Sequence, residues 1–340
     1  MKKHFTLWIA TILIVTGAWY SANSLVDASP GRTDANGGHT CYTDCGKYGL
    51  KDGEYHYHGA DGSISKTPPK KATPDAKLEA DKLKAPAKGK LSVYFLNVGQ
   101  GDATYIHTAN GDDILIDGGK NDAGAVVVDY LKQLGVKDIE VLVSTHPDED
   151  HVGGLDTVLD SFPVKSVYAP KVSHTTQTYK DFLTAVKKQG LTIKEAKAGV
   201  ELPLKGVTAK FVGPTKAYGN DLNDWSAVLH VTFGKNTFLF TGDAEAKAEK
   251  DMIAAKATLK ADVLKVGHHG SDTSTSAAFL KAVSPKYAVI SVGKGNSYGH
   301  PKRTTLDKLT AAKITTYRTD TKGTVTAVSD GTKLTFGTVR

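Results

Sequence analysis

A dense run of side chains that can bind metal follows an apolar segment in the first half of the chain. The segment EVLVST (140–145) has the composition of a buried strand and leads directly into HPDEDHVGG. Four residues within six positions can bind a divalent ion: His146, Asp148, Asp150 and His151. Imidazole and carboxylate at this density are typical ligands of divalent metals. Helix capping by Asp150 is the alternative, and it explains neither histidine.

Two later apolar segments also end in residues of these types. Asp243 follows the segment NTFLFTG (236–242), and the segment 261–266 ends at His268 and His269. Because open α/β sheets build their sites at the ends of strands, we expect these residues to meet the first run. The carboxylate of Asp243 is suited to bridge two cations.

Three further residues are candidates with less support. Asp102 and Asp117 each end an earlier strand, where they either contact the site or hold loops through backbone amides. His300 lies in the turn YGHP beside a late strand. It is a candidate substrate contact or proton donor, with a structural role as the alternative. His107 and His174 belong to no motif, and we expect them to be structural.

The segments around these residues predict a layered fold. From Leu91 onward, short β-branched runs alternate with stretches of helical spacing. Strands are predicted at 91–98, 103–108, 112–117, 140–145, 165–170, 207–213, 226–234, 236–242 and 261–266. Helices are predicted at 122–134, 152–162, 178–189 and 244–259, with a hairpin near Asp330 and Gly331. Two halves, each with a sheet and outer helices, indicate an α/β arrangement with two central sheets.

The residues before Leu91 predict three short segments. Residues 1–28 have two early lysines and an apolar run over 5–20, as in a signal peptide, with an uncleaved anchor as the alternative. Either reading puts the rest of the chain outside the cytoplasm, and cleavage would leave no stable membrane span. Residues 29–65 form a small module, and residues 66–90 form a Pro-, Lys- and Ala-rich linker. The domain predicted at 91–340 follows this linker.

The small module is too short to bury a self-sufficient core, so we expect a staple. A disulfide between Cys41 and Cys45 is one candidate, and it suits an oxidising compartment. A metal clip is the second candidate, and exposed side chains without a staple are the third. The clip would draw on some of His39, Cys41, Cys45, His56 and His58.

Composition and charge exclude several classes of protein. The chain has 340 residues, of which 40% are hydrophobic and 23% are charged, so it is neither disordered nor collagen-like. The net charge of +7 is concentrated in 66–90, which has eight lysines and three acidic residues. The large domain is nearly balanced, so bulk charge does not predict DNA binding.

The order of the motifs resembles the metallo-β-lactamase superfamily. HxDxDHxGG, GD and HHGS follow successive strands over nearly all of 91–340. This family implies an αββα sandwich with a metal site at one rim of the sheets. NVGQGDA, THPDEDHVGGL and LKVGHHGS look most like the extracellular hydrolase domain of competence (DNA-uptake) channel proteins of the ComEC type. No membrane-spanning segments follow here, so we expect a free-standing, exported version. The segment 29–65 resembles YHYH modules of exported bacterial proteins.

The resemblance implies one or two divalent ions, Zn²⁺ or Mn²⁺. His146 and Asp148 would bind the first metal ion. Asp150, His151 and one of His268 and His269 would bind the second, and Asp243 would bind both. The other histidine of the pair would touch the substrate. Asp148 stands where the family usually has a histidine, and its oxygen favours Mn²⁺. No histidine matches the family's third ligand at the first site. Asn223, Asp224 or Ser226 is expected to replace it, with His230 a weaker candidate, and a single bound metal is the alternative.

Such a centre predicts hydrolysis, because a divalent ion lowers the pKa of a bound water from about 16 to about 7. Asp150 and His300 are the expected catalytic residues, and substrate contacts are expected from Asp102, Asn223, Ser226 and Ser271. The competence resemblance implies DNA or another phosphodiester polymer as substrate, and residues 29–90 are candidates for contact with the cell wall. A hydrolase of an envelope phosphodiester, ester or lactone and a non-catalytic DNA-binding accessory are the alternatives.

Overall fold

In this computed structural model, the described residues are 38–40, 45–51, 53–58, 64–66 and 83–339. Contacts divide the chain into two compact units, Met1–Thr73 and Pro74–Arg340. The predicted signal peptide and most of the predicted linker lie outside the described residues. The described helices include none that combines the length and hydropathy needed to cross a membrane.

The smaller unit contains three short strands, β1 (Gly38–Thr40), β2 (Tyr55–His58) and β3 (Ile64–Ser65), in one antiparallel sheet. The register pairs His39 with His56. Cys45 is disulfide-bonded and packs with Leu50 in a small buried cluster. Cys41 and the side chains of His39 and His58 lie outside the described residues. The Cys41–Cys45 pairing and the metal clip therefore stay predictions.

The larger unit is built from two sheets. Its strands are β4 (Leu91–Phe95), β5 (Thr104–His107), β6 (Asp113–Ile116), β7 (Val141–Val143), β8 (Val167–Ala169), β9 (Ile193–Glu195), β10 (Thr208–Gly213), β11 (Val228–Phe233), β12 (Asn236–Phe240), β13 (Val263–Lys265), β14 (Tyr287–Ile290), β15 (Thr315–Arg318), β16 (Val325–Ser329) and β17 (Leu334–Thr338). One sheet has the order β17-β16-β4-β5-β6-β7-β8-β9, and the other has the order β10 to β15. Strands β6–β9 are parallel to one another, and so are β12–β15.

Helices connect the parallel strands. They are α1 (Gly124–Gln133), α2 (Glu149–Val152), α3 (Leu155–Ser161), α4 (Gln177–Lys188), α5 (Ala246–Ala254), α6 (Ala277–Val283) and α7 (Arg303–Ala311), whereas α8 (Thr319–Lys322) leads from β15 to β16 in the other sheet. Thr176 and Ser276 cap α4 and α6 by accepting a backbone N–H three residues on.

Three hydrophobic cores separate four layers. In β4, Val93 and Phe95 face the core between the sheets, whereas Tyr94 faces the core under α1, α3 and α4. In β12, Phe238 faces the central core and Leu239 faces the core under α5 and α6. Because side chains alternate along a strand, buried strands in both sheets supply two cores at once. The predicted αββα sandwich is confirmed.

The structure differs from the predicted elements in two places. Strand β9 lies in a stretch that the sequence indicated as irregular, since IKE has no apolar alternation and lies at the sheet edge. The helix predicted over 152–162 is divided into α2 and α3, because Gly153 and Gly154 lie against backbone atoms of Asn121 and Gly118. A Cβ at either glycine would collide with that backbone.

Candidate metal centre

Buried acidic and imidazole side chains meet at one rim of the two sheets. His146 follows β7, Asp243 follows β12, and His269 follows β13. Asp150 and His151 lie in α2. Because β6–β8 and β12–β14 are parallel, their carboxyl ends open at the same rim.

The tightest group is formed by Asp150, His151, Asp243 and His269. Nε2 of His151 lies 3.2 Å from Oδ2 of Asp243, and Nε2 of His269 lies 3.4 Å from the same oxygen. Nε2 of His269 is also 3.1 Å from Oδ2 of Asp150. Two imidazole nitrogens and two carboxylates thus converge on one point. This arrangement matches the second site that the sequence predicts, with His269 as the inward member of its pair.

His146 and Asp148 lie beside this group. Nε2 of His146 is 3.6 Å from Oδ2 of Asp148, and the rings of His146 and His151 have centroids 4.1 Å apart. Oγ of Ser226 lies 3.5 Å from Nδ1 of His146 and accepts the backbone N–H of Asp243 at 3.0 Å. Ser226 thus contacts both His146 and the backbone of Asp243.

Several buried polar atoms at this rim have no hydrogen-bond partner among the residues that the structure describes. They are Nε2 of His146, Nε2 of His151 and Oδ1 of Asp243. A buried polar group without a partner costs free energy, about 1–3 kcal/mol each. One ligand atom from each of His146, His151 and Asp243 lies within 4.8 Å of the others, and so does one from each of Asp150, His151 and His269. Divalent ions would satisfy these atoms, so the residues present fit the metal that the fold family implies.

The electrostatics of the group favour ionised carboxylates and charged imidazoles. Burial alone would raise the pKa of Asp243, but the neighbouring His151 and His269 hold it well below its ordinary value. Burial would lower the pKa of His151, but Asp243 and Asp117 raise it. A divalent cation would supply the positive charge that these carboxylates now draw from the imidazoles.

Asp117 fixes one of the histidines from behind. Its Oδ1 accepts the backbone N–H of Thr145 at 2.7 Å, and its Oδ2 lies 2.9 Å from Nδ1 of His151. This hydrogen bond leaves Nε2 of His151 facing the group, as is usual for a metal-binding histidine with an outer carboxylate. Asp117 has a left-handed backbone (φ 60°), which aspartate tolerates better than most residues. Asp117 therefore holds a loop through the Thr145 amide and also contacts the site through His151.

Asp102 and Lys265 form a buried ion pair behind the other histidine. Oδ2 of Asp102 contacts Nζ of Lys265, and Oδ1 of Asp102 is 3.2 Å from Nδ1 of His269. Nζ of Lys265 also donates to the carbonyl oxygen of Gly242 at 3.3 Å. Removing one partner of a buried pair typically costs about 3–5 kcal/mol. Sequence reasoning missed Lys265, although a lysine that ends the apolar run ADVLK is a signal of a buried partner.

A small polar cleft of about 140 Å³ opens over the centre. Its lining residues are Gln100, Asp148, Asp150, Asn223, Asp243, His268, His269, Tyr298 and His300. His268 is the more exposed member of its pair: its Nε2 lies 3.7 Å from Oδ2 of Asp243, and its Nδ1 lies 2.9 Å from Oε1 of Glu245. The backbone of both histidines is left-handed (φ 47° and 52°), which turns the adjacent rings in different directions. Gln100 and Glu245 are further residues that the motifs did not indicate.

His300 also lines the cleft, with its ring centroid 5.5 Å from that of His268. Burial lowers the pKa of His300 to about 4, and the neighbouring His268 and His269 add to that effect. The imidazole is therefore neutral at pH 7, which suits hydrogen bonding to substrate better than donation from an imidazolium.

The remaining sequence-predicted residues lie in different surroundings. Asp102 and Ser271 are buried outside the cleft, which disagrees with their predicted substrate contact. Ser271 bonds Thr273 through Oγ, at 2.9 Å. Asp102 is occupied by Lys265 and His269. His230 points away from the centre, since its Nε2 bonds the carbonyl oxygen of Lys260 at 2.9 Å.

The stretch NDWS contributes in three ways. Asn223 lines the cleft and donates to Oε1 of Glu245 at 3.2 Å. Asp224 accepts the backbone N–H groups of Glu245 and Ala248, so it caps α5 and does not face the centre. Ser226 is buried beside His146 and is not part of the cleft lining.

Comparison with known proteins defines the class of this protein. Residues 96–294 match the metallo-beta-lactamase superfamily, and the chain belongs to that family. Its members are metal-dependent hydrolases with this αββα fold, and the His and Asp cluster at the rim fits the divalent metal site that the family implies. A crystal structure of the metallo-beta-lactamase fold protein YhfI from Bacillus subtilis has a TM-score of 0.44 and 11% identity, over 67% of this chain and 95% of that one.

The chain is also similar to curated proteins, among them "Competence protein ComA" of Neisseria gonorrhoeae, to which it is 33% identical over 228 residues, covering 67% of this chain and 30% of that protein. The chain is 35% identical over 200 residues to "ComE operon protein 3" of Bacillus subtilis, covering 59% of this chain and 26% of that protein. It is 35% identical over 235 residues to "Recombination protein 2" of Haemophilus influenzae, covering 68% and 28%. The chain thus spans about a quarter of the length of these relatives.

Proposed function

We propose that this protein is an exported, metal-dependent phosphodiesterase that hydrolyses DNA outside the cell. The observation that carries the proposal is the convergence of Asp150, His151, Asp243 and His269, with buried atoms lacking partners, beneath an open polar cleft. The competence relatives support a substrate related to DNA. The sequence pattern of residues 1–28 supports export, with 29–65 as a small module and 66–90 as a tether to the hydrolase domain.

The chain's own residues have distinct roles in this proposal. Asp150, His151, Asp243 and His269 would hold one divalent ion, and His146 and Asp148 would hold a second, with Zn²⁺ or Mn²⁺ as candidates. Such ions supply a nucleophilic water and neutralise the charge of a phosphodiester. Asp150, the more exposed carboxylate of its group, would orient the water. His300 and Asn223 would contact substrate from the cleft walls.

The test is hydrolysis of linear and circular DNA by the full chain loaded with Mn²⁺ or Zn²⁺, with an Asp243→Asn variant purified in parallel. We expect cleavage by the wild type and at least 100-fold less by the variant, with end preference given by the two substrates. Equal activity of the two preparations would indicate a contaminating nuclease. Absence of cleavage by metal-loaded wild type would overturn the nuclease proposal in favour of an envelope phosphodiester or ester.

A further inference from the structure

One aromatic ring is exposed at the rim of the cleft. Among the described residues, the exposed large apolar side chains are Leu183 and Tyr298, and Tyr298 is 53% exposed. Tyr298 lines the same cleft as Asp243 and His269, whereas Leu183 lies in α4 and lines no part of it. An exposed aromatic ring in the wall of a polar cleft is available to stack on a ligand that enters the cleft.

The loop that carries Tyr298 is well anchored. Nδ2 of Asn296 donates to the carbonyl oxygens of Gly293 at 2.9 Å and His300 at 2.6 Å. Nζ of Lys302 donates to the carbonyl oxygen of Tyr298 at 2.8 Å. The ring of Tyr298 is stacked on that of His300, with centroids 5.8 Å apart and planes inclined by 24°. The aromatic face is therefore held in place before any ligand arrives.

The surroundings of this ring match those of a nucleotide. Two lysines flank Tyr298 in the sequence: Lys294, which is exposed, and Lys302, which is partly exposed. Lysines near an aromatic platform bind backbone phosphates while the ring stacks on a base. A base inside a duplex has both faces covered by its neighbours. Only a base at a duplex end or in a single strand can offer a face to Tyr298.

We infer that Tyr298 stacks on the nucleobase next to the scissile phosphodiester, so that the substrate is nucleic acid cleaved at a strand end or in a single strand, where a base face is exposed. This inference rests on the proposed function and names the substrate class of the same cleft. Tyr298 acts as a specificity-determining residue and takes no part in the bond cleavage.

The first test compares two phosphodiesters, one with a base and one without. The metal-loaded full chain is assayed on thymidine 5′-(p-nitrophenyl phosphate) and on methyl p-nitrophenyl phosphate. Tyr298→Ala is expected to lower kcat/KM on the thymidine ester by about 5- to 150-fold, which corresponds to ~1–3 kcal/mol for one stacked base. The methyl ester should lose less than twofold. Tyr298→Phe should keep the wild-type ratio, and Leu183→Ala should change neither rate.

The second test measures binding without turnover. Fluorescence anisotropy in EDTA compares a labelled single-stranded oligonucleotide with the same oligonucleotide containing abasic sites. Wild type is expected to prefer the intact strand, and Tyr298→Ala is expected to lose that preference.

The two proposals fail in different ways. Wild type that hydrolyses neither ester would overturn the proposed function and this inference together. The inference alone would be overturned if wild type hydrolyses both esters and Tyr298→Ala keeps the wild-type ratio of the two kcat/KM values and the wild-type preference for the intact oligonucleotide.

Discussion

An aspartate paired with a histidine lies at each end of strand β6, but the two pairs have different surroundings. At its start, Oδ1 of Asp113 lies 2.6 Å from Nδ1 of His107. Just beyond its end, Oδ2 of Asp117 lies 2.9 Å from Nδ1 of His151. The first pair lies at the closed end of the sandwich, and the second lies at the cleft.

At the closed end, the polar groups satisfy one another. The hydroxyl of Tyr105 donates to Oδ1 of Asp113 at 2.7 Å, and the backbone N–H of Asp113 donates to Glu140 at 2.6 Å. Lys165 pairs with Glu140 in turn. At the cleft, Nε2 of His151 is in ion-pair range of Oδ2 of Asp243, yet neither it nor Oδ1 of Asp243 makes a hydrogen bond to any described residue. The comparison teaches that the unsatisfied atoms, and not the residue types, distinguish a ligand site from a structural network.

The largest expected difference between the two ends is in metal affinity. Losing a residue that hydrogen-bonds a metal ligand typically weakens metal binding ~10–100-fold. Because Asp243 would itself be a ligand, Asp243→Asn should raise the Kd for Zn²⁺ or Mn²⁺ by more than that. Asp113→Asn, the matched change at the closed end, should leave Kd within twofold. Competition with a chromophoric chelator measures both. Equal losses in the two variants would abolish the distinction between the ends.

A smaller effect is expected behind the centre. Asp117→Asn keeps the shape of the side chain and tolerates the left-handed backbone, but it removes the carboxylate that faces His151. We expect metal affinity to fall about 10–100-fold. The same chelator competition checks this value, and circular dichroism checks that the fold is kept. An unchanged Kd would mean that His151 is not a ligand.

The smallest effect concerns the pH dependence of stability at the closed end. Burial raises the pKa of Asp113 above its ordinary value of 3.8, although hydrogen bonds from His107 and Tyr105 act to lower it. Its contribution to stability is therefore fully present below pH 3.8 and is lost as pH rises through the folded-state pKa. Urea unfolding in EDTA should show wild type losing stability relative to Asp113→Asn over this rise. A relative gain would mean that ion pairing with His107 outweighs burial.

Much of the fold could be predicted from the sequence because its signals are local. The apolar runs in LSVYF and NTFLF, and the spacing of Val127, Tyr130 and Leu131 in α1, indicate strands and a helix without knowledge of their partners. Strand β9 could not be found this way, since its pairing with β8 decides its conformation and its own residues do not.

The candidate site divides in the same way. The sequence alone determined that His146, Asp148, Asp150, His151 and Asp243 follow apolar strands. Within one sheet, parallel strands have their carboxyl ends at the same rim. Only the tertiary structure decided that His269 is buried beside Asp150 while His268 stays partly exposed in the cleft, because this depends on the left-handed backbone of their turn. It also decided that Asp102 lies behind the centre, since its partner Lys265 comes from a strand far along the chain. Contacts between distant segments leave no periodic trace in either one, so they become visible only when the chain is folded.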